Sequence, residues 1–189
     1  MGLKTLFTFI SDYSLIVTEK QQNIVKAALK LFATQGYAST STSKVAKEAG
    51  VSEGLIFRHF GNKEGLLNAI MEMANESMQA KMGAIVMVSD PKEMLTRLFD
   101  MLFSIPECEQ EIWKLMYALK WQMDNYDSSK TEPLKLVLNS AFQKMGYENP
   151  EAESELILMI MDGIATSSLL HPPTNKEDIL IALKQKYEL

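Results

Sequence analysis

Between Thr42 and Lys63 the chain carries a dense set of hydrogen-bonding groups and little that could break a covalent bond. Arg58 offers a planar fork of N–H donors, which suits the paired acceptors on the edge of a guanine. The hydroxyls of Thr42 and Ser43, the His59 imidazole and the Lys63 ammonium could each donate to a phosphate oxygen without reading a base, and Ser43 could also reach a base edge. Glu53 is an acceptor: it could take a hydrogen bond from a cytosine amino group, or serve only as favourable charge at a helix N-terminus. His59 is equally a candidate for a plain structural histidine. Gly54 lets backbone approach a groove closely, and Phe57 presents a ring that can meet a thymine methyl. This is binding chemistry. Catalysis has no comparable support, because His59 and His171 lie far apart in the sequence and there is no Gly-rich phosphate loop. Cys108 stands between Glu107 and Glu109, without the positive surroundings that make a reactive thiolate. No His/Cys cluster has ligand spacing, so neither a metal nor another cofactor is expected, and the chain does not read as an enzyme.

The elements that must position these groups can be read locally. Residues 40–67 predict a short helix, a three-residue turn, a second short helix and the capped start of a third. Ser41 is placed to cap a helix beginning at Thr42, with Val45, Ala46 and Ala49 on its buried face. Gly50 ends that helix in the left-handed conformation, Val51 tethers the turn, and Ser52 is placed to cap a helix over Glu53–His59. On the second helix Ile56 and Phe60 point inward, leaving Glu53, Gly54, Phe57, Arg58 and His59 outward. Asn62 caps the next helix and sets Lys63 beside its free amides, where a phosphate is favoured. One helix braces while the other offers its N-terminal face to the major groove of duplex DNA.

Three stretches, AALKLFATQGY (27–37), TSKVAKEAGVS (42–52) and IFRHFGNKEGLL (56–67), resemble the DNA-binding domain of the TetR (tetracycline-repressor-like) family of bacterial transcriptional regulators. The resemblance covers about a third of the chain. It implies an all-α fold, a homodimer, and a double-stranded operator released when a small-molecule effector binds, which is the behaviour of a repressor. Two positions depart from the family pattern. Phe57 stands where tyrosine is usual and Leu55 where threonine is common, so two hydroxyls that could meet phosphate are missing.

The 189 residues carry a net charge of −5, which looks wrong for a DNA-binding protein until it is divided. Residues 1–63 hold eight Lys/Arg against four Asp/Glu, and the remainder eleven against twenty. A basic reader on an acidic body satisfies the local requirement of phosphate contact. The single cysteine excludes an internal disulfide and fits a reducing cytoplasm. No uncharged apolar run approaches the length of a membrane span. Residues 1–17 can form an apolar helical stripe, but Asp12 interrupts it and no small-residue cleavage site follows. This extension of unknown role precedes a helix-turn-helix domain at 18–63 and an effector-binding and dimerisation domain at 64–189.

Thr18 is expected to cap a helix over about 19–35, and a longer helix runs from Lys63 into the 80s. Further helices are expected at about 92–104, 108–125, 132–145, 151–170 and 176–187, divided by Asp90-Pro91, Ile105-Pro106, Gly146 and His171-Pro172-Pro173. Thirteen methionines, with aromatic residues in the second part, suggest an adaptable apolar interior. Trp113, Met116, Tyr117 and Met123 fall on neighbouring turns and are candidates for the lining of an effector pocket; plain core packing is the alternative, and an apolar or aromatic effector follows. Leu156, Ile160, Gly163, Ile164 and Ser167, with Leu183 on the last helix, suggest a close-packed dimer seam or else a buried core helix.

Overall fold

The computed structural model describes residues 18–106, 109–120 and 131–189. Each regular element among them is an α-helix: α1 (Glu19–Gln35), α2 (Thr42–Ala49), α3 (Glu53–Phe60), α4 (Lys63–Val86), α5 (Pro91–Phe103), α6 (Gln110–Lys120), α7 (Glu132–Lys144), α8 (Pro150–Leu170) and α9 (Lys176–Lys186). The all-α expectation therefore holds. Helix bounds agree with the sequence reading to within two residues, except at α6, whose expected end lies outside the described residues.

Helix starts follow local chemistry. Thr18 forms a reciprocal capping box with Gln21, each side chain accepting from the other's backbone amide, at 3.3 and 2.9 Å. Ser41 accepts from the Lys44 amide at 3.2 Å, and Asn62 from the Gly65 amide at 2.7 Å. Asp90 and Asn149 cap helices whose first residues are Pro91 and Pro150. Ser52 occupies its cap position without a side-chain hydrogen bond. The Leu55 amide, which that hydroxyl could have served, bonds instead to the Ser52 backbone carbonyl at 3.0 Å. Gly50 closes α2 at φ 66°, a left-handed conformation that a Cβ would strain.

The chain divides into two units. The first gathers α1, α2, α3, α4 as far as Met78, and α6; the second takes α4 from Gln79 with α5, α7, α8 and α9. The first unit thus runs past Lys63, because Leu66, Ile70 and Ala74 of α4 are buried in one core with Ile24, Ala28 and Phe32 of α1, Val45 of α2 and Ile56 of α3. Ile112, Leu115 and Leu119 bring α6 onto that core, packed on α1. The second unit packs α7 on α8, and α5 on α7, α8 and α9. Its centre is built from Leu95, Leu98, Leu138 and Ile157 with an aromatic cluster of Phe99, Phe142, Tyr147 and Tyr187. Tyr187 is 2% exposed, and its phenol donates to Glu153 Oε2 at 3.4 Å. Burial, reinforced by the Glu153 charge, pushes its pKa up to about 12. Among the described residues no helix is long and apolar enough to cross a membrane.

Candidate nucleic-acid interface

α2 and α3 divide their side chains sharply between core and solvent. Val45 and Ala46 fix α2 on α1, and Ile56, fully buried, is the pin that seats α3. Leu55 and Phe60 are half-buried against the same core. The remaining surface of α3 faces outward: Gly54, Arg58 and His59 are exposed, and Phe57 is 48% exposed. A benzyl ring left half in water contributes little to folding, so its position invites a role in contact. The Arg58 guanidinium has no hydrogen bond or ion pair among the described residues. The His59 ring stands edge-on to Phe60, with centroids 6.3 Å apart. Ser43 is exposed on the first turn of α2.

Two of the expected phosphate donors are engaged within the protein. The Thr42 hydroxyl donates to Glu53 Oε1 at 2.5 Å, linking the first residues of α2 and α3. The Lys63 ammonium donates to the backbone carbonyls of Tyr37 and Ala38 at 2.8 and 3.3 Å and lies 4.3 Å from the centroid of the Tyr37 ring. Two of its three N–H donors are committed to the loop that follows α1. Sequence reasoning missed Tyr37 as the partner. Tyr37 packs edge-on against Phe32 at 5.1 Å, and burial followed by the Glu64 charge raises its phenol pKa. The next loop residue to be fixed is Thr40, buried and donating to the Gly36 carbonyl at 2.9 Å. Two other cations near the motif are also paired: Lys30 with Glu48 at 2.6 Å and Lys44 with Gln35 at 3.0 Å. Arg58 differs from them in being uncommitted.

The proposed pocket lining is only partly described. Met123 lies outside the described residues, as does Cys108. Trp113 and Met116 pack against the core of the first unit, so they sit with the helix-turn-helix elements and not in the second unit. Trp113 stacks with Tyr117 at 6.4 Å and its indole N–H points to Glu109 Oε2 at 3.5 Å. Among the described residues no group of three or more His, Cys, Asp or Glu could hold a metal ion.

Along α8 the expected seam residues separate. Ile160 and Ile164, and Leu183 of α9, are half-buried against the second unit's own core, because the helix is apolar on both sides and its inner face takes them. Leu156 is 38% exposed and Gly163 is exposed, with open space where a Cβ would stand; Ser167 is half-buried. The outward stripe is completed by two residues that the sequence reading did not single out, Met159 at 70% and Leu170 at 74% exposure. Positions 156, 159, 163, 167 and 170 follow one another at 3–4 residue spacing and so share a face, but that spacing alone does not say which face is outward.

A family model described as bacterial regulatory proteins, tetR family, matches residues 24–70, from the second turn of α1 to the buried part of α4. Residues 24–70 match the TetR family's DNA-binding region. Among curated relatives, the HTH-type transcriptional regulator HbdR of Aromatoleum sp. (strain CIB) is 46% identical over 52 residues, covering 28% of this chain and 23% of that protein. The HTH-type transcriptional regulator LmrA of Bacillus subtilis (strain 168) is 29% identical over 128 residues, covering 67% of this chain and 66% of that protein. The chain thus spans about a quarter of the length of HbdR and just under two thirds of that of LmrA. The crystal structure of a TetR-like transcriptional regulator from Rhodococcus sp. RHA1 superimposes with a TM-score of 0.75 over 93% of this chain and 98% of that one, at 16% identity. That likeness extends the shared fold beyond the matched motif to the second unit.

Proposed function

We propose that this protein is a cytoplasmic, homodimeric regulator of transcription that reads a palindromic operator and is released from it by a small apolar or aromatic effector, acting most simply as a repressor. One observation carries the proposal: α3 is pinned by a fully buried Ile56 while Gly54, Phe57, Arg58 and His59 all face outward, Arg58 with its guanidinium uncommitted. A helix held rigidly on one side, with a free bidentate donor on the other, suits direct readout in a major groove. Arg58 reads guanine, Phe57 meets a thymine methyl, Gly54 admits the groove edge, and Ser43 and His59 supply phosphate contacts. Two such helices in a dimer would occupy successive major grooves about 34–36 Å apart. The exposed stripe on α8 provides the seam, and Trp113, Met116 and Tyr117 remain the candidates for effector contact. No catalytic step is assigned.

A second reading is favoured by the engagement of Thr42 and Lys63: a helical binding or adaptor protein that keeps the motif without using it on DNA. Selection of bound sequences from random duplex DNA, followed by salt titration, separates the two. The regulator enriches a palindrome whose affinity falls steeply with salt. Arg58→Ala then lowers discrimination at one guanine per half-site by about 5- to 150-fold, equivalent to about 1–3 kcal/mol. Absence of any enriched sequence at low salt rules out the regulator.

A further inference from the structure

Thr42 opens α2 and Glu53 opens α3, and the fold brings these two first turns side by side. The Thr42 hydroxyl takes one carboxylate oxygen, Oε1, in a short hydrogen bond of 2.5 Å. The other oxygen, Oε2, has no hydrogen bond or ion pair among the described residues. An ionised carboxylate only accepts hydrogen bonds, and a glutamate with three rotatable bonds would ordinarily swing into bulk water. Here it cannot swing freely. Thr42 tethers it at the tip of the reading helix, on the same element as exposed Gly54, Phe57 and Arg58.

We propose that Thr42 is a positioning residue that aims Glu53, and that Glu53 is a specificity-determining residue accepting a hydrogen bond from a cytosine amino group through Oε2. The inference rests on the DNA-reading function proposed above. Of the four bases, guanine and thymine offer only acceptors along their major-groove edges, which repel a carboxylate. Adenine has an amino donor but sets the N7 acceptor beside it, whereas cytosine presents its amino group with no such acceptor. A carboxylate held in place is therefore satisfied opposite cytosine and left desolvated and unpartnered opposite other bases. The phosphates add a repulsion that only a correctly placed donor offsets, so the tethered charge acts against off-target sequences. Without the tether the same carboxylate would retreat from the groove and discriminate little.

The test uses the full chain as wild type, Thr42→Ser, Thr42→Val and Glu53→Gln, each submitted to selection from random duplex DNA. Competition titrations then compare the recovered site with versions altered at single base pairs. Wild type is expected to favour one cytosine per half-site by about tenfold over the alternatives, the scale of one good base contact. Thr42→Ser keeps the hydroxyl and the preference. Thr42→Val loses most of the preference at that base pair while the guanine preference assigned to Arg58 persists, a pattern that general loss of structure does not produce. Glu53→Gln, with both a donor and an acceptor, moves the preference towards adenine. The inference is overturned if Thr42→Val keeps the wild-type preferences, or if Glu53→Gln tightens every duplex by one common factor with no base preference changed. A wild type that enriches no sequence refutes the DNA-reading function itself, an outcome distinct from a selective wild type whose variants select identically.

Discussion

Gly65 and Gly83 lie on the same helix, and replacing each with alanine is expected to change stability in opposite directions. A Cβ at Gly65 would stand 2.0 Å from the Phe60 carbonyl oxygen and 3.2 Å from its carbon, whereas at Gly83 nothing lies within 4 Å. Helix propensity favours alanine at both positions by at most about 1 kcal/mol. At Gly65 that gain is outweighed. Reaching even a tight 3.0 Å contact requires about 1 Å of movement in backbone at the end of α3. Phe60 is packed against the first core, so the strain spreads into side chains around it. Overpacking of this kind costs about 1–3 kcal/mol. The net expectation for Gly65→Ala is a loss of about 1–2 kcal/mol, against a gain of about 0.5–1 kcal/mol for Gly83→Ala. Urea unfolding followed by far-UV circular dichroism, with midpoints compared at constant slope, reads both. Because Phe60 ends the reading helix, Gly65→Ala should also weaken operator binding. If the two variants shift the midpoint in the same direction, the close approach of α4 to the Phe60 carbonyl is wrong and with it the account of how α3 is seated.

Three further outcomes can be measured. Lys63→Met removes two carbonyl contacts and a cation over the Tyr37 ring, and should cost about 1–2 kcal/mol in urea unfolding while weakening all duplexes alike. A variant of unchanged stability whose only defect is a salt slope reduced by about one would return Lys63 to simple phosphate contact. Met159→Glu puts a charge on the exposed stripe of α8, so sedimentation is expected to show a dimer for wild type and a monomer for the variant; a variant that stays dimeric would place the seam elsewhere. Tyr187 titrates near 12 in the folded chain, above the ordinary tyrosine value of about 10. Its unfolded form therefore loses the proton first, so its stabilisation is complete below about pH 10 and declines as pH rises towards 12. Tyr187→Phe should flatten that part of the stability–pH curve, and an unchanged slope would remove Tyr187 as its source.

Features that depend on neighbours along the chain are legible in the amino-acid sequence. The caps at Thr18, Ser41 and Asn62, the proline starts at Pro91 and Pro150, and the glycine stop at Gly50 each follow from a few adjacent residues. Ile56 can be assigned inward because α3 has a clear apolar side. Long-range relations are not legible in this way. Nothing local announces that α6 packs on α1, which moves Trp113 and Met116 into the first unit. The partners of Lys63 lie 26 and 25 positions away, in a loop whose path no periodicity specifies. On α8 apolar residues occur on both sides, so pattern alone cannot separate inward Ile160 and Ile164 from outward Leu156 and Met159. Thr42 and Glu53 each stand out for their chemistry, yet their pairing depends on how two helices cross.

The outward residues of α3 have a consequence for how such a protein can diversify. Phe57, Arg58 and His59 share their helix with Ile56, but it is Ile56 that carries the helix's anchorage. Replacing the outward three should therefore leave folding almost untouched, since exposed side chains of this kind contribute within about half a kilocalorie per mole. Recognition and architecture are separable here, so a lineage, or a designer, can rewrite the address without rebuilding the scaffold that delivers it.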